Sequence, residues 1–150
     1  MVDIVSPEKR SRMMSGIRSK NTVPEMTVRK ALHRNGYRYR LHSKKLPGHP
    51  DLVLSKYGAA IFVNGCFWHG HDCHLFKWPK TRPEFWKEKI GKNKSNDIKH
   101  QAALKAAHWR VMVIWECALK GKTRIDEDLI VKQIETWLHS NTSPAVISGL

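Results

Sequence analysis

Acidic residues are scarce in this sequence: 13 Asp and Glu stand against 27 Lys and Arg, which gives a net charge of +14. The excess of basic side chains favours a polyanionic partner such as nucleic acid, because each neutralised phosphate releases condensed counterions. The alternative is a basic surface that is merely solvated. An apolar content of 41% supports a packed core, so the charge does not indicate disorder.

Long apolar runs are absent as well, and no stretch approaches the ~20 apolar residues that a membrane-spanning helix needs. Residues 1–11 are too polar to serve as the apolar region of a signal peptide. Cysteine is rare and odd in number, with three residues. These features predict a reducing, cytoplasmic location, where cysteines bind metal more often than they form disulfides.

No internal repeat or long linker divides the chain, so we expect a single domain over residues 1–150. Apolar periodicity predicts an α/β fold, a mixed sheet with helices packed against it. A helix over 22–36 is followed by strands at 37–41, 51–54 and 59–63, which are expected to form an antiparallel meander. A helix at 84–90, interrupted at 91–93, resumes over 96–107; a strand at 109–115 and a last helix then follow.

Two terminal segments are expected to lie outside the packed core. Residues 1–20 carry five basic side chains, and this arm either forms an ordinary amphipathic helix or lies along a phosphate backbone. The two interpretations are compatible with each other. Residues 141–150 are punctuated by Ser, Thr and Pro and are expected to form a flexible tail.

The stretch from 64 to 74 contains two cysteines, three histidines and two adjacent aromatic residues, directly after an apolar strand. Cys66, Cys73 and one histidine are close enough to bind one metal ion, and Cys117 joins them if its strand neighbours the first. Three thiolates and one imidazole are typical of structural zinc, whereas buried free cysteines are the alternative. By spacing alone, the fourth ligand is one of three histidines: His69, His71 or His74.

Two acidic residues are candidates for a catalytic site. Asp51 begins an apolar strand, where Asp is disfavoured, so it is either a ligand of Mg²⁺ or the cap of a turn. Glu25 lies three residues after Thr22, a spacing that indicates a capping box at the start of a helix.

A histidine beside such a metal site is a candidate general base, because its ordinary pKa is close to neutrality. If His71 binds zinc, His69 remains for that task. Asp97 is then a candidate to orient the His69 ring. An acid that complements the dipole near a helix start is the alternative explanation of Asp97.

Aromatic residues are interleaved with basic ones in two places. Phe67 and Trp68 are consecutive, so in an extended segment they cannot both face the core. Trp78 and Trp86 lie among lysines and arginines, a pattern that favours stacking on bases or insertion between them. Core packing is the alternative for any single tryptophan.

Four motifs in order resemble those of the very short patch repair (Vsr) DNA mismatch endonucleases, and the likeness runs from about Arg12 to Trp137. The motifs are Leu46-Pro-Gly-His-Pro-Asp51, Ile61-Phe-Val-Asn-Gly-Cys-Phe-Trp-His69, Phe85-Trp-x-Glu-Lys-Ile-Gly-Lys-Asn93 and Trp109-Arg-Val-x-Val-Ile-Trp-Glu-Cys117. Several multi-residue motifs in the right order are far more specific than any one of them.

The resemblance implies a fold like that of type II restriction endonucleases and an enzyme that nicks one strand beside a T:G mismatch left by deamination of 5-methylcytosine. It also implies catalytic Mg²⁺, structural Zn²⁺ and, as partners, mismatched duplex DNA, mismatch-repair proteins and a cytosine-5 methyltransferase system. We expect a monomer, because a nick needs only one active site. A DNA-binding protein that does not cut and a restriction-type nuclease with another target are the rival hypotheses.

The resemblance also implies a role for each matching residue. Asp51 would hold Mg²⁺ together with the backbone carbonyl of Val63, and His69 would be the base with Asp97 as its partner. Glu25 matches an accessory active-site acid. The implied zinc ligands are Cys66, His71, Cys73 and Cys117, and the implied DNA-inserting aromatics are Phe67, Trp68 and Trp86. Two residues depart from the family: Val63 replaces the Thr and Asn64 the His of some members.

Overall fold

The computed structural model describes residues 21–140 and 145–149 as a five-stranded mixed sheet with three α-helices. The strands are β1 (Arg40–Leu41), β2 (Leu52–Leu54), β3 (Ala59–Asn64), β4 (Arg110–Trp115) and β5 (Val146–Ile147). The helices are α1 (Val23–Arg34), α2 (Pro83–Ala106) and α3 (Glu127–His139), with short 3-10 turns at Ser55–Tyr57 and Glu116–Ala118. The predicted α/β class is therefore confirmed. Among the described residues, no helix combines the length and apolar character needed to cross a membrane.

The strands follow one another across the sheet in chain order. The first three form the antiparallel meander that the sequence predicts, whereas β3 and β4 are parallel neighbours. Their register runs from Ala59 opposite Arg110 to Asn64 opposite Trp115. The carboxyl ends of β3 and β4 therefore meet at one edge, and the residues that follow them are brought close together.

The sheet is covered by helices on both faces. On one face, α1 and α3 pack over a core cluster that includes Leu32, Ile61, Ile114 and Ile134, all fully buried. On the other face, Leu104 of α2 packs in a smaller cluster with Ala60 and Val111. Strands that are covered on both sides need apolar residues at successive positions, which explains the continuous apolar runs of β3 and β4.

The prediction that the second helix breaks at residues 91–93 is wrong, since α2 runs without interruption from Pro83 to Ala106. Gly91 costs roughly 1 kcal/mol in a helix interior relative to Ala, which is too little to end a helix of 24 residues. The buried positions of α2 are Ile90 and Leu104, whereas Ile98 is 72% exposed. The apolar spacing around Ile98 therefore does not mark the buried face.

Two strands also differ from expectation. The strand expected over 37–41 is reduced to Arg40–Leu41, and β5 pairs in parallel with β4 through Val146 and Ile147. Strand β5 lies inside the segment 141–150 that was expected to form a flexible tail. Its Ile147 is 2% exposed, so this part of the segment packs against the core. The basic arm proposed for residues 1–20 lies outside the described residues.

Arg110 closes the carboxyl end of α3. Its guanidinium donates hydrogen bonds to the carbonyl oxygens of Leu138 (3.1 Å), Ser140 (2.7 Å) and Trp137, and it lies 4.7 Å from the centroid of the Trp137 ring. Helix ends leave carbonyl groups without partners, so one cation here satisfies several of them.

Replacing Arg110 by Met is expected to lower the free energy of unfolding by about 2–3 kcal/mol, because these carbonyls lose charged donors. Urea denaturation followed by circular dichroism measures the change. Arg34→Met is the matched control: Arg34 is 62% exposed and pairs with Glu127 at the surface, so a loss of about 0–1 kcal/mol is expected. Equal losses in the two variants would contradict the capping role.

Candidate active site and metal centre

A cleft of about 810 Å³ opens at the carboxyl end of β3, between the start of α1 and the middle of α2. The residues to which the resemblance assigns catalysis or DNA insertion all line this cleft: Glu25, Asp51, Val63, Phe67, Trp68, His69, Trp86 and Asp97. Trp78, which the sequence also suggested for stacking on bases, does not line it. The lining residues come from elements that are far apart in sequence. The antiparallel pairing of β2 with β3 and the unbroken course of α2 bring them together.

One group at the cleft is suited to a metal ion, and two of its members, Glu25 and Asp51, line the cleft. Glu25, His42 and Asp51 each offer one ligand atom, and these atoms lie within 4.8 Å of one another. The sequence analysis singled out both carboxylates but missed His42. The His42 backbone is left-handed, with φ at +48°, and no residue pattern in the sequence predicts that conformation.

Asp51 is held in place by the backbone. Its Oδ2 accepts a hydrogen bond of 2.7 Å from the N–H of Val63 on the neighbouring strand. Burial raises the pKa of Asp51 to about 6, and the nearby Glu25 adds to the increase, while the Val63 hydrogen bond opposes it. Two carboxylates so close in a partly buried site are stabilised by a bound cation.

Glu25 is 2% exposed and has several donors around its carboxylate. Arg29 donates to Oε2 at 3.1 Å, and the N–H of Asn21 donates to Oε1 at 3.2 Å. Thr22 caps α1 by accepting the Glu25 N–H at 3.4 Å. One of the two hydrogen bonds of the predicted capping box is therefore formed. In place of the other, the Glu25 carboxylate accepts from the N–H of Asn21 instead of the N–H of Thr22. It leaves the carboxylate within reach of Asp51 and His42.

His69 and Asp97 form a pair inside the cleft, with 2.5 Å between His69 Nδ1 and Asp97 Oδ2. Their exposed fractions of 26% and 27% leave them accessible to water. Asp97 lies in the middle of α2, so the explanation based on the helix dipole no longer applies. With Nδ1 engaged, Nε2 is the nitrogen that remains for proton transfer.

Three aromatic side chains form a cluster along the same cleft. The ring centroid of Phe67 lies 5.1 Å from that of Trp68 and 5.3 Å from that of Trp86. All three are partly exposed, unlike Trp137, which is 4% exposed and belongs to the core. Asn93, to which the sequence analysis gave no role, supports the cluster because its Nδ2 donates to the Trp68 carbonyl at 2.8 Å.

A second group lies just beyond the ends of β3 and β4, where Cys66, His71, Cys73 and Cys117 place their ligand atoms within 4.8 Å of one another. His71 Nδ1 lies 3.6 Å from the Sγ atoms of both Cys66 and Cys117. Tetrahedral zinc with its usual bond lengths separates sulfur and nitrogen ligands by about 3.6 Å. This donor set therefore fits zinc.

The surroundings of this group favour a neutral imidazole, whereas backbone hydrogen bonds and burial have opposite effects on the ionisation of the sulfurs. The N–H groups of Cys117 and Gly149 donate to the Sγ atoms of Cys66 (3.3 Å) and Cys117 (3.2 Å), respectively. Burial raises the pKa of the Cys66 thiol and lowers the pKa of His71, so a cation is needed to hold the sulfur ionised. The His71 ring stacks on Trp115 at 4.1 Å, which fixes its orientation.

The other two histidines of the stretch have different neighbours. His69 pairs with Asp97, and His74 Nδ1 lies 3.5 Å from Thr123 Oγ1. The distances therefore separate the three histidines that spacing alone could not distinguish. Asn64, the departure noted in the sequence, is 6% exposed and lines the cleft beside Val63.

Comparison with known proteins agrees with this geometry. Residues 2–75 match the family described as DNA mismatch endonuclease Vsr. The chain is 39% identical over 147 residues to DNA mismatch endonuclease Vsr of Escherichia coli (strain K12), an alignment that covers 98% of this chain and 94% of that protein.

Two further relatives are named as nicking enzymes. The chain is 50% identical over 119 residues to type II nicking enzyme V.XorIIP of Xanthomonas oryzae pv. oryzae, covering 79% of this chain and 88% of that protein. It is 46% identical over 137 residues to type II nicking enzyme V.NmeAIP of Neisseria meningitidis, covering 90% and 98%. These matches extend over nearly the whole chain, and the chain therefore belongs to the Vsr family of DNA mismatch endonucleases.

Proposed function

We propose that this protein nicks one strand of duplex DNA beside a T:G mismatch in a reaction that requires Mg²⁺. The observation that carries the proposal is the cleft, which combines a carboxylate cluster, a histidine–aspartate pair and an aromatic cluster. The family and the names of the relatives support DNA as the substrate and a nick as the outcome. The net charge of +14 suits a polyanion.

Asp51 and Glu25 would hold Mg²⁺, with the backbone carbonyl of Val63 as a further oxygen donor. Mg²⁺ prefers oxygen ligands and, when bound, would polarise the scissile phosphate and acidify a coordinated water. The N–H of Val63 fixes the Asp51 carboxylate before any cation arrives, so little reorganisation is needed.

His69 would accept a proton from the attacking water through Nε2, while Asp97 holds Nδ1–H and thereby fixes the tautomer and the ring orientation. Asp97 acts through His69 and is a positioning residue. The rigid middle of α2 supplies its position, which a loop could not do as reliably.

Phe67, Trp68 and Trp86 would insert at the mismatch. Insertion of apolar side chains between base pairs requires unstacking, which costs a few kcal/mol per step, and less at a mispaired step. This difference in unstacking energy would favour the lesion over paired DNA. The rings are already clustered and partly exposed at the edge of the cleft, so insertion does not require them to leave the core.

Cys66, His71, Cys73 and Cys117 would hold a structural zinc ion. A closed set of four protein ligands leaves no position for substrate, so this site would stabilise the fold. Its ligands lie on both sides of His69 in sequence, so the bound ion would fix the turn that carries Phe67, Trp68 and His69. The mismatched substrate would arise at cytosines that a cytosine-5 methyltransferase has modified. Mismatch-repair proteins would be partners of this protein.

A labelled duplex with one T:G mismatch, beside its fully paired control, tests the proposal. We expect a nick in one strand of the mismatched duplex when Mg²⁺ is added to zinc-loaded protein, and no nick when no divalent cation is added. Cleavage of both duplexes would favour a restriction-type nuclease. Tight binding without a nick, over several sequence contexts of the mismatch, would favour a protein that only recognises distorted DNA.

Replacing Asp97 by Asn is expected to lower the nicking rate by about 10²-fold, the lower part of the range for general base catalysis. The amide is isosteric but carries no charge and can hold the His69 ring in the wrong tautomer. Single-turnover nicking measures the rate, and a gel-shift assay should show unchanged affinity for mismatched DNA. Glu88→Gln, an exposed acid on the same helix, is the control. A similar loss of rate in both variants would show that charge on α2, rather than the pair, is responsible.

A further inference from the structure

His42 lies against the two carboxylates of the cleft without having been assigned a role. Its Nε2 atom is 2.7 Å from Glu25 Oε2, and its side chain is 15% exposed. The three possible ligand atoms of Glu25, His42 and Asp51 all lie within 4.8 Å of one another. Two ligand atoms of one metal ion lie at most two bond lengths apart, and with bonds of a little over 2 Å small side-chain shifts would bring these three atoms onto one ion.

The backbone holds His42 in this position at a cost. Its φ of +48° lies in the left-handed region, which costs a residue with a side chain about 1–2 kcal/mol. The conformation is fixed by two hydrogen bonds that close the β1–β2 connection, from His42 N to Asp51 O (3.1 Å) and from Ser43 N to Pro50 O (3.3 Å). The first of these ties His42 to the backbone of the residue whose carboxylate it approaches. Strain of this kind is found where side-chain placement matters for function.

The chemistry of the three donors differs from that of a typical Mg²⁺ site. Mg²⁺ binds oxygen almost exclusively and keeps its waters, whereas imidazole nitrogen suits first-row transition metals. Two carboxylate oxygens and one imidazole nitrogen form a mixed set that accommodates Mn²⁺ better than Mg²⁺. The hydrogen bond between Glu25 and His42 would be exchanged for two bonds to the metal.

We infer that His42 is the third side-chain ligand of the cation bound by Glu25 and Asp51, and that its nitrogen makes the site prefer Mn²⁺ to Mg²⁺. The inference rests on the proposed function, which places the cation between the two carboxylates. It adds a ligand that the resemblance to the family does not supply. It also implies that Mn²⁺ supports nicking at lower concentrations than Mg²⁺.

Electron paramagnetic resonance of Mn²⁺ tests the inference directly. Full-length protein with one equivalent of zinc, which keeps Mn²⁺ from the cysteines, is titrated with Mn²⁺, and Mg²⁺ is then added as a competitor. Electron spin echo modulation by ¹⁴N reports whether a histidine nitrogen is bound to the metal. The variants are His42→Gln and His42→Asn. The control is His108→Gln, because His108 is exposed and also left-handed, with φ at +69°, but lies beside the amino end of β4.

In the unmodified protein and in His108→Gln, we expect ¹⁴N modulation and Mn²⁺ binding about tenfold or more tighter than that of Mg²⁺. Both His42 variants should lose the modulation and most of the preference for Mn²⁺. Absence of ¹⁴N modulation in the unmodified protein overturns the inference, whether or not the variants fold. Retention of the modulation in the His42 variants also overturns the inference. An equal loss of affinity for Mn²⁺ and Mg²⁺ in these variants overturns it too, because that result is expected of a residue that only positions Glu25.

Asp51→Asn separates this inference from the function on which it rests. If the variant binds Mn²⁺ as tightly as the unmodified protein, the proposed cation site itself is wrong. If Asp51 is required for Mn²⁺ binding and His42 is not, the cation site stands and only the third ligand is wrong.

Discussion

Replacing Asp51 by Asn is expected to reduce nicking at a T:G mismatch by at least about 10³-fold, while the protein remains folded. Removal of the carboxylate weakens cation binding at the point where negative charge develops on the phosphate. A loss of about 4 kcal/mol of transition-state stabilisation corresponds to this factor. Single-turnover nicking at saturating protein measures it, so that weaker DNA binding does not enter the result.

The same substitution is expected to make the protein more stable when no divalent cation other than zinc is present. Burial raises the pKa of Asp51 from 3.8 to about 6, so the folded protein binds more protons than the unfolded chain between these values. Its stability therefore falls as the pH rises through this window, and at neutral pH the charged Asp51 costs about 3 kcal/mol. Asn carries no charge, and its Oδ1 can still accept the N–H of Val63.

Thermal unfolding at pH 4 and pH 7.5, without added Mg²⁺, measures this effect. We expect Asp51→Asn to unfold about 8 °C above the unmodified protein at pH 7.5 and close to it at pH 4. Asp128→Asn, an exposed acid on α3, should leave the difference between the two pH values nearly unchanged. A destabilised Asp51→Asn at pH 7.5 would show that the carboxylate contributes to the fold as well as to the reaction.

Opposite effects on activity and stability are expected of a carboxylate that is kept for function. The same conflict between function and fold is visible in the sequence around Asp51. An acid at the start of a buried strand contradicts local strand preference, and such a conflict marks a site under functional constraint. Glu25 gave a weaker signal because its sequence position also satisfies a capping box. Only the structure shows that the carboxylate is buried and turned toward Asp51 and His42.

His42 could not have been found from the sequence, because its role depends on one backbone dihedral angle and on the pairing of β1 with β2. The sequence analysis suggested Asp97 as the partner that orients the His69 ring. Because α2 was expected to break at 91–93, Asp97 was also expected to lie near a helix start, which left the helix-dipole explanation open. Glycine lowers helix propensity without forcing an end, and the packing of Ile90 and Leu104 decides in favour of a continuous helix. The strand β5 was missed because two residues carry too little periodicity to predict a strand.

The metal centre was more predictable, because one assumption about topology sufficed. If β3 and β4 are parallel neighbours, Cys66 and Cys117 must lie together, and the register shows that they do. A continuous apolar run in both strands indicates burial on both faces, which parallel sheets require. Spacing left the choice among three histidines open, since a separation of two residues in a turn does not determine which ring faces the sulfurs. The family resemblance implied His71, and the structure brings His71 together with the three cysteines.

Replacing Cys117 by Ser is expected to destabilise the protein by about 3 kcal/mol or more and to lower its thermal midpoint by about 10 °C. Serine is a poor zinc ligand, so the variant keeps only three of the four ligands, Cys66, His71 and Cys73, and is expected to lose the metal. Absorption spectroscopy with a zinc-sensitive dye counts the bound ion, and differential scanning calorimetry gives the midpoint. Asp72→Asn, an exposed substitution next to Cys73, should retain the zinc and the midpoint.

The loss of zinc is also expected to abolish nicking, although no zinc ligand would touch the DNA. The four donors join the ends of β3 and β4 to the turn that carries Phe67, Trp68 and His69, and the N–H of Gly149 connects β5 to Cys117 Sγ. Without the metal, the Cys66 thiol, whose pKa is raised by burial, is neutral, and no cation holds the four side chains together. The aromatic cluster and the His69–Asp97 pair would then lose their common support. If Cys117→Ser lost zinc yet nicked at the normal rate, the turn would be held by its packing alone, and the structural role of zinc would be wrong.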